Sequence, residues 1–430
     1  MAILNNEALR PVSPLDRVFS WHQHAALWFS LGVGLLVMQI GAYLVPAVGT
    51  KDAFFAIVLG SIIGASLLAW TAKVGCETGL TSSGLIHATY GSSFAKLPVV
   101  LNIIQLIGWT TFELVIMRDG TTAIGNQSFG LTLTGSIGIF ATTLLWGGVL
   151  TVLIMGSMLT LVRQVISRIG LPLVIASLAW LTWQFGAQVQ AKGLDTFIGR
   201  TGDGSMSMFS AMDLVIAMPV SWLPLIADYA RHGKSGKGAM SGTWIGYVIA
   251  NIWCYALGVM VVSVAQPSTD LVSAILLAQG GLLALSLILI DEIDNAYGDV
   301  YSSSVSTHSL LPKLSIRQWG VFIALLCTAL ALVLPIHSLE PFLLILSSVF
   351  VPLYGVILGR LGCQKNIEIS DLQSINKVNL TAAVLWVGGI VVYHALAKWA
   401  PQWGSAMPTL AITFTLAWIT RSKSVFQPRY

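Results

Sequence analysis

The sequence predicts an all-α polytopic membrane protein with about 12 transmembrane helices, in which spans one and six are broken. Three observations lead there: a composition too poor in charge for water, a regular series of apolar runs, and Gly/Pro interruptions at matching positions of two five-span halves. The apolar set AVILMFWYC makes up 55% of the 430 residues, while Asp, Glu, Lys and Arg make up 9%. Soluble chains carry roughly 25% charged residues, so these few charges cannot cover a soluble surface of this size. A water-soluble enzyme, a nucleic-acid-binding domain and a disordered chain are therefore excluded, and the expected surroundings are a lipid bilayer. The net charge of +4 is too small to signal an acidic partner. Cys76, Cys254, Cys327 and Cys363 are far apart and show no metal-ligand spacing, so they read as reduced packing residues and no metal is expected. The N-terminus has no apolar core behind a basic start, and no cleaved signal peptide is expected.

A membrane helix needs about 20 mostly apolar residues. Runs of that kind lie near 24–48, 52–74, 98–124, 134–155, 165–187, 210–232, 242–265, 274–303, 317–336, 340–361, 378–397 and 406–421. Only 188–209 reads as a sizeable polar loop. With a cytoplasmic N-terminus, 17 Lys and Arg fall inside (Lys365, Lys423 and Arg429 among them), 4 outside, and Arg118 within a span. That asymmetry places both termini in the cytoplasm. The expected location is the bacterial cytoplasmic (inner) membrane.

Freed backbone groups are tolerated inside a membrane only where they are buried in protein or line a cavity. Span one (SLGVGLLVMQIGAYLVPAVG) is expected to break near its middle at Gln39, Gly41 and Pro46. Span six (DLVIAMPVSWLPLIADYARHG) brackets Ser221 and Trp222 between Pro219 and Pro224. Gly and Pro are common in membrane helices in any case. Interruptions in corresponding spans nevertheless point to inverted repeats around a solute site at the bilayer midplane.

Ionisable residues inside a span cost about 2.5–3.5 kcal/mol on insertion scales and usually face an interior. In span three, Gln105, Trp109 and Glu113 recur at i, i+4 and i+8, with Asn102 one turn earlier, and form a polar and aromatic stripe. Interhelical hydrogen bonding is the bland alternative. Arg118 and Asp119 read as a structural pair or an outer gate. In span eight, Asp291, Glu292, Asn295, Asp299 and Ser302 fall within about 100° of one another, with Asp294 beside them. They read as an interior ion or proton site, with a solvated helix end as the alternative. The turn Arg231–Lys237 fails the phosphate-loop register, because Asp228 stands where the first Gly is required. Asp228 and Arg231 are expected to pair with each other.

These residues resemble the nucleobase–cation symporter family of cytosine permeases and hydantoin transporters over nearly the whole chain. The strongest pieces are Asp52–Gly60, Gln105–Trp109, Ala227–Arg231, Ala278–Gly280 and Asp294–Ala296. The opening 11–47 looks most like the branch assigned to hydroxymethylpyrimidine, a thiamine precursor. The resemblance implies a LeuT-type 5+5 inverted repeat with two extra helices. On this chain that divides into a cytoplasmic segment 1–23, a first repeat 24–187, an extracytoplasmic loop 188–209, a second repeat 210–361, two additional helices in 378–421 and a cytoplasmic tail 422–430. It implies a planar heterocycle held between Trp109 and Trp222, with Gln105 as amide contact and Asn295 as a span-eight contact. Gln39 and Ser221, beside the interruptions, complete the expected substrate site. The family's ion site joins backbone carbonyls of broken span one, here around Gly41, to span eight. Where cytosine permeases show two consecutive Thr, this chain has Asp291 and Glu292, so these two and Asp294 become the expected coupling groups. Three residues separate Gln105 from Trp109, where cytosine permeases have two.

The expected function is secondary active import of a pyrimidine-type heterocycle, hydroxymethylpyrimidine foremost, by cation- or proton-coupled alternating access. A cytosine or other nucleobase permease is the alternative. Glu113 would read the substrate edge, since a protonated carboxyl donates to a ring nitrogen and accepts from the adjacent amino group. No cofactor is expected beyond the coupling ion, Na+ or H+. A channel would need a visible filter or symmetry. A membrane-embedded enzyme would need a catalytic motif, and none can be placed.

Overall fold

The computed structural model describes residues 6–133, 135–266, 269–334, 339–364 and 377–421. Lys365, Lys423, Arg429 and the expected tail 422–430 lie outside them. In chain order the helices are α1 (Trp21–Ser30), α2 (Leu35–Val48), α3 (Thr50–Thr78), α4 (Ser82–Tyr90), α5 (Lys96–Phe129) and α6 (Ser136–Ile154). Next come α7 (Met158–Lys192), α8 (Met208–Ser221), α9 (Leu223–Ala230), α10 (Gly236–Val264) and α11 (Leu271–Leu277). The chain continues with α12 (Gly281–Leu310), α13 (Ile316–Val333), α14 (Leu339–Gly362), α15 (Leu380–Trp399) and α16 (Ala406–Ile419). Among the described residues, nine helical stretches are long and apolar enough to cross a bilayer, with α8 and α9 counted as one, and the α1–α2 pair makes up to ten. The 14-residue α16 is apolar but shorter. The 30-residue α12 carries four acids along its length.

Burial separates centre from periphery. The most apolar stretch of α8–α9 is 89% buried, whereas those of α7 and α15 are only 28% buried. The outer helices expose large apolar side chains such as Ile137, Trp183 and Val391. That is the pattern of a lipid-facing shell around a polar-lined centre.

Span one differs from expectation in where it bends. α1 and α2 meet at 59° across residues 31–34, and Gln39, Gly41 and Pro46 all lie within α2. Pro46 removes only one hydrogen bond close to the helix end. Gly34 matters more, because the Glu292 carboxylate would touch any side chain there, 3.1 Å from its Cβ position. In span six the interruption shrinks to the single residue Trp222. Span eight starts later than expected, at Gly281, behind a left-handed Gly280 (φ 70°), and the stretch before it is the separate α11. Span five extends to Lys192, and a short helix Leu194–Ile198 occupies part of the expected loop.

Glycine sets the closest helix approaches. A Cβ on Gly41 would strike the Tyr255 carbonyl of α10, and one on Gly258 would strike the Met38 carbonyl of α2. Gly246 meets Ala25 of α1 in the same way, and Gly64 of α3 meets Pro219 of α8. Small residues at such crossings let dispersion act between whole backbones, the main attraction available between helices in lipid. Gly41→Val is therefore expected to cost about 1–3 kcal/mol by overpacking. The check is the thermal unfolding midpoint of purified protein in detergent, which should fall for Gly41→Val and stay unchanged for Gln39→Ala.

Candidate functional site

The α1–α2 break frees backbone groups in the protein interior, and α12 supplies their partners. The Leu35 N–H donates to Glu292 Oε1 at 2.5 Å. Asn295 Nδ2 donates to the Val33 carbonyl at 3.1 Å and to Glu292 Oε2 at 3.0 Å. A carboxylate at the first turn of α2 also faces the positive end of that helix. Ser30, at the end of α1, donates to Asp291 at 2.7 Å and lies 3.3 Å from Asp294 Oδ2. Asp291, Glu292, Asp294 and Asp299 are all buried, so the solvated-end alternative for span eight falls. Neither oxygen of Asp299 has a hydrogen-bond partner among the described residues.

Opposite α12, Gln105 of α5 donates to the Ser221 carbonyl at 3.1 Å and to Asn102 Oδ1 at 3.1 Å. Asn102 in turn donates to the Pro224 carbonyl and to Ser306, each at 3.1 Å. Gln105 thus holds a carbonyl beside the α8–α9 interruption from behind. Trp109 packs edge-on against Phe342 (centroids 5.2 Å apart), and Trp222 against Trp28 (6.1 Å).

One small cavity joins these parts. Trp109, Glu113, Ser221, Trp222, Glu292 and Asn295 are in its wall, with Leu31, Val33 and Gly34 of the break. Its volume is about 20 Å³, enough for one water, which needs about 10–15 Å³. A planar heterocycle needs more room than this, so its entry requires the walls to move apart. Six expected residues therefore converge and the others do not. Gln105 stands behind the wall. Gln39 is exposed on α2. Gly41 is spent on the α10 crossing. Asp291 and Asp294 turn toward Ser30. The expected Asp228–Arg231 pair is replaced: Asp228 accepts the Ser82 N–H at 2.9 Å, because α4 reaches the carboxylate first. Arg118 and Asp119 do pair, at 2.7 Å, with Arg118 also reaching the Ala331 carbonyl. Sequence reasoning missed Ser30, Trp28 and Phe342. The hydroxyl of Ser30 directly ahead of the glycine-rich break was a usable signal, whereas the two aromatics had no signal distinguishing them from packing.

A broken span lined by polar groups around a central cavity is the arrangement expected of a membrane transporter. A sequence family described as "Permease for cytosine/purines, uracil, thiamine, allantoin" matches residues 11–420. Cytosine permease of Escherichia coli K12 is 23% identical over 373 residues, 84% of each chain. Among solved structures, the nucleobase-cation-symport-1 transporter Mhp1, closed with bromovinylhydantoin bound, aligns over 97% of this chain and 94% of its own, with TM-score 0.80 and 15% identity. MhsT in complex with L-phenylalanine aligns over 92% and 98%, with TM-score 0.61 and 16% identity. The chain belongs to the nucleobase–cation symporter family, an integral membrane transporter with the LeuT-type fold.

Glu292→Ala would leave the Leu35 N–H and the Asn295 amide short of an acceptor, at about 1–3 kcal/mol for a buried unsatisfied group. A lowered unfolding midpoint is expected for Glu292→Ala, with most of the loss recovered in Glu292→Gln, whose amide oxygen still accepts from Leu35.

Proposed function

We propose that this transporter imports a pyrimidine-type heterocycle, hydroxymethylpyrimidine foremost, by coupled alternating access. The observation that carries the proposal is the convergence of Trp109, Trp222 and Glu113 on one cavity at the α1–α2 break. Two indoles suit the faces of a planar ring. A carboxyl at the ring edge suits an aminopyrimidine, which offers an acceptor nitrogen beside an amino donor. Ser221 and Asn295 add polar wall. Gln105 acts through the Ser221 carbonyl.

The membrane arrangement that goes with this function has twelve spans, the acid-bearing α12 and the short α16 joining the ten already counted. Spans one and six are its broken members, 24–187 and 210–361 are inverted repeats, and 378–421 adds two helices. Both termini face the cytoplasm, as the 17-to-4 asymmetry of basic residues requires. The coupling ion acts at the oxygen cluster of Ser30, Asp291 and Asp294, whose donor set suits a proton or a hard cation such as Na+. Glu292 serves mainly to hold the break.

A cytosine or other nucleobase permease is the second reading, favoured by the likeness to the cytosine permease of Escherichia coli. Uptake of radiolabelled hydroxymethylpyrimidine, competed with cytosine, uracil, hydantoin and thiamine at two pH values with and without sodium, separates the readings. Strong self-competition with weak cytosine competition is expected. No saturable hydroxymethylpyrimidine uptake, with cytosine carried instead, would select the second reading. For Glu113, Glu113→Ala should weaken substrate binding by about 10- to 100-fold. Glu113→Gln presents the same donor–acceptor edge and should bind while losing pH dependence. Equal loss in both variants removes Glu113 from substrate recognition.

A further inference from the structure

Away from the central cavity, a second pocket of about 370 Å³ lies between the start of α1 and residues 159–168 of α7. Its polar wall holds Arg163, Gln164, Ser167 and Arg168 from α7, with Ser20 and His22 from the α1 end. The backbone itself makes this wall. Residues Leu161–Gly170 are π-helical, and their hydrogen bonds run from i+5 to i, as in Leu171 N–H to the Ile166 carbonyl. Ser167 Oγ also reaches back five residues, to the Val162 carbonyl at 2.7 Å. On an α-helix, residues five apart point about 140° away from each other. In a π-helix, with its wider turn, they lie only about 50° apart, and Arg163 and Arg168 line one wall with Gln164 and Ser167. Val162 and Ile166 are buried toward the protein, while Val165, Ile169 and Leu173 are exposed.

Two guanidiniums in one groove repel each other unless an anion lies between them, and among the described residues neither has an ion-pair partner. The start of α1 adds the positive end of a ten-residue helix. Beyond the groove, α7 continues with an apolar strip of exposed Ile169, Leu173 and Trp180, which share one helix face at i, i+4 and i+11. A free anion would use only the basic end, whereas a phospholipid would use both. We propose that this pocket binds the phosphodiester headgroup of an anionic phospholipid, with its acyl chains along the exposed strip of α7. Basic pockets between transmembrane helices receive acidic lipid headgroups by this chemistry.

The test titrates purified full-length protein in neutral detergent with dioctanoyl phosphatidylglycerol, dioctanoyl phosphatidylcholine or inorganic phosphate, reading the thermal unfolding midpoint. Saturable stabilisation by phosphatidylglycerol alone is expected. In Arg163→Gln/Arg168→Gln its apparent affinity should fall on the order of 25-fold, from about 1 kcal/mol per basic residue. Arg163→Lys/Arg168→Lys keeps the charge and should retain most of the binding, which also guards against a misfolded double variant. Inorganic phosphate stabilising as well as phosphatidylglycerol would replace the lipid with a free anion and overturn the assignment. Phosphatidylcholine stabilising equally, or unchanged phosphatidylglycerol affinity in the glutamine variant, would remove the pocket from lipid binding altogether.

Discussion

Everything at the centre of this transporter depends on satisfying the backbone that the α1–α2 break sets free. An amide N–H or a carbonyl left bare in a low-dielectric interior costs several kcal/mol. Here the Leu35 N–H finds Glu292 and the Val33 carbonyl finds Asn295. A third joint follows the same rule, with Gln105 on the Ser221 carbonyl. Side chains that look like ligand groups in the sequence are therefore partly structural. On three residues that line the cavity, buried polar atoms are left over: Glu113 Oε2, the Asn295 carbonyl oxygen and the Trp109 indole N–H have no protein partner among the described residues.

Much of this was legible in the sequence. Apolar run lengths located most helices to within a few residues, spans five and eight excepted, because the thickness of the bilayer fixes them independently of packing. The i, i+4 relation of Trp109 and Glu113 brought both into the cavity, since a helix face is a local property. The position of the break was not local. Pro46 and Gly41 looked like interruptions, yet α2 absorbs the first near its end and needs the second to touch α10. The actual bend at residues 31–34 is fixed by a carboxylate more than 250 positions away. Gln39 misled for a related reason: polarity placed it inside, but its direction depends on the bend upstream.

The π-helical stretch of α7 escaped sequence reading as well. Its basic residues were counted for orientation, five apart and thus on different sides of an α-helix. Only the wider helix gathers Arg163 and Arg168 into one wall.

The glycine crossings carry a mechanical consequence. Where Gly41, Gly246 and Gly258 bring backbones into direct touch, α1 and α2 are geared to α10, and Gly64 gears α3 to α8, because any slip drives a carbonyl or a proline ring into an α-carbon. Against α12 the same span rests on hydroxyls, carboxyls and an amide, contacts that can be traded for water at little cost. Under the alternating access proposed above, shear would follow the joint whose bonds are replaceable, with the polar face of α12 as a lubricated bearing and the glycine-stitched helices as the piece that turns upon it.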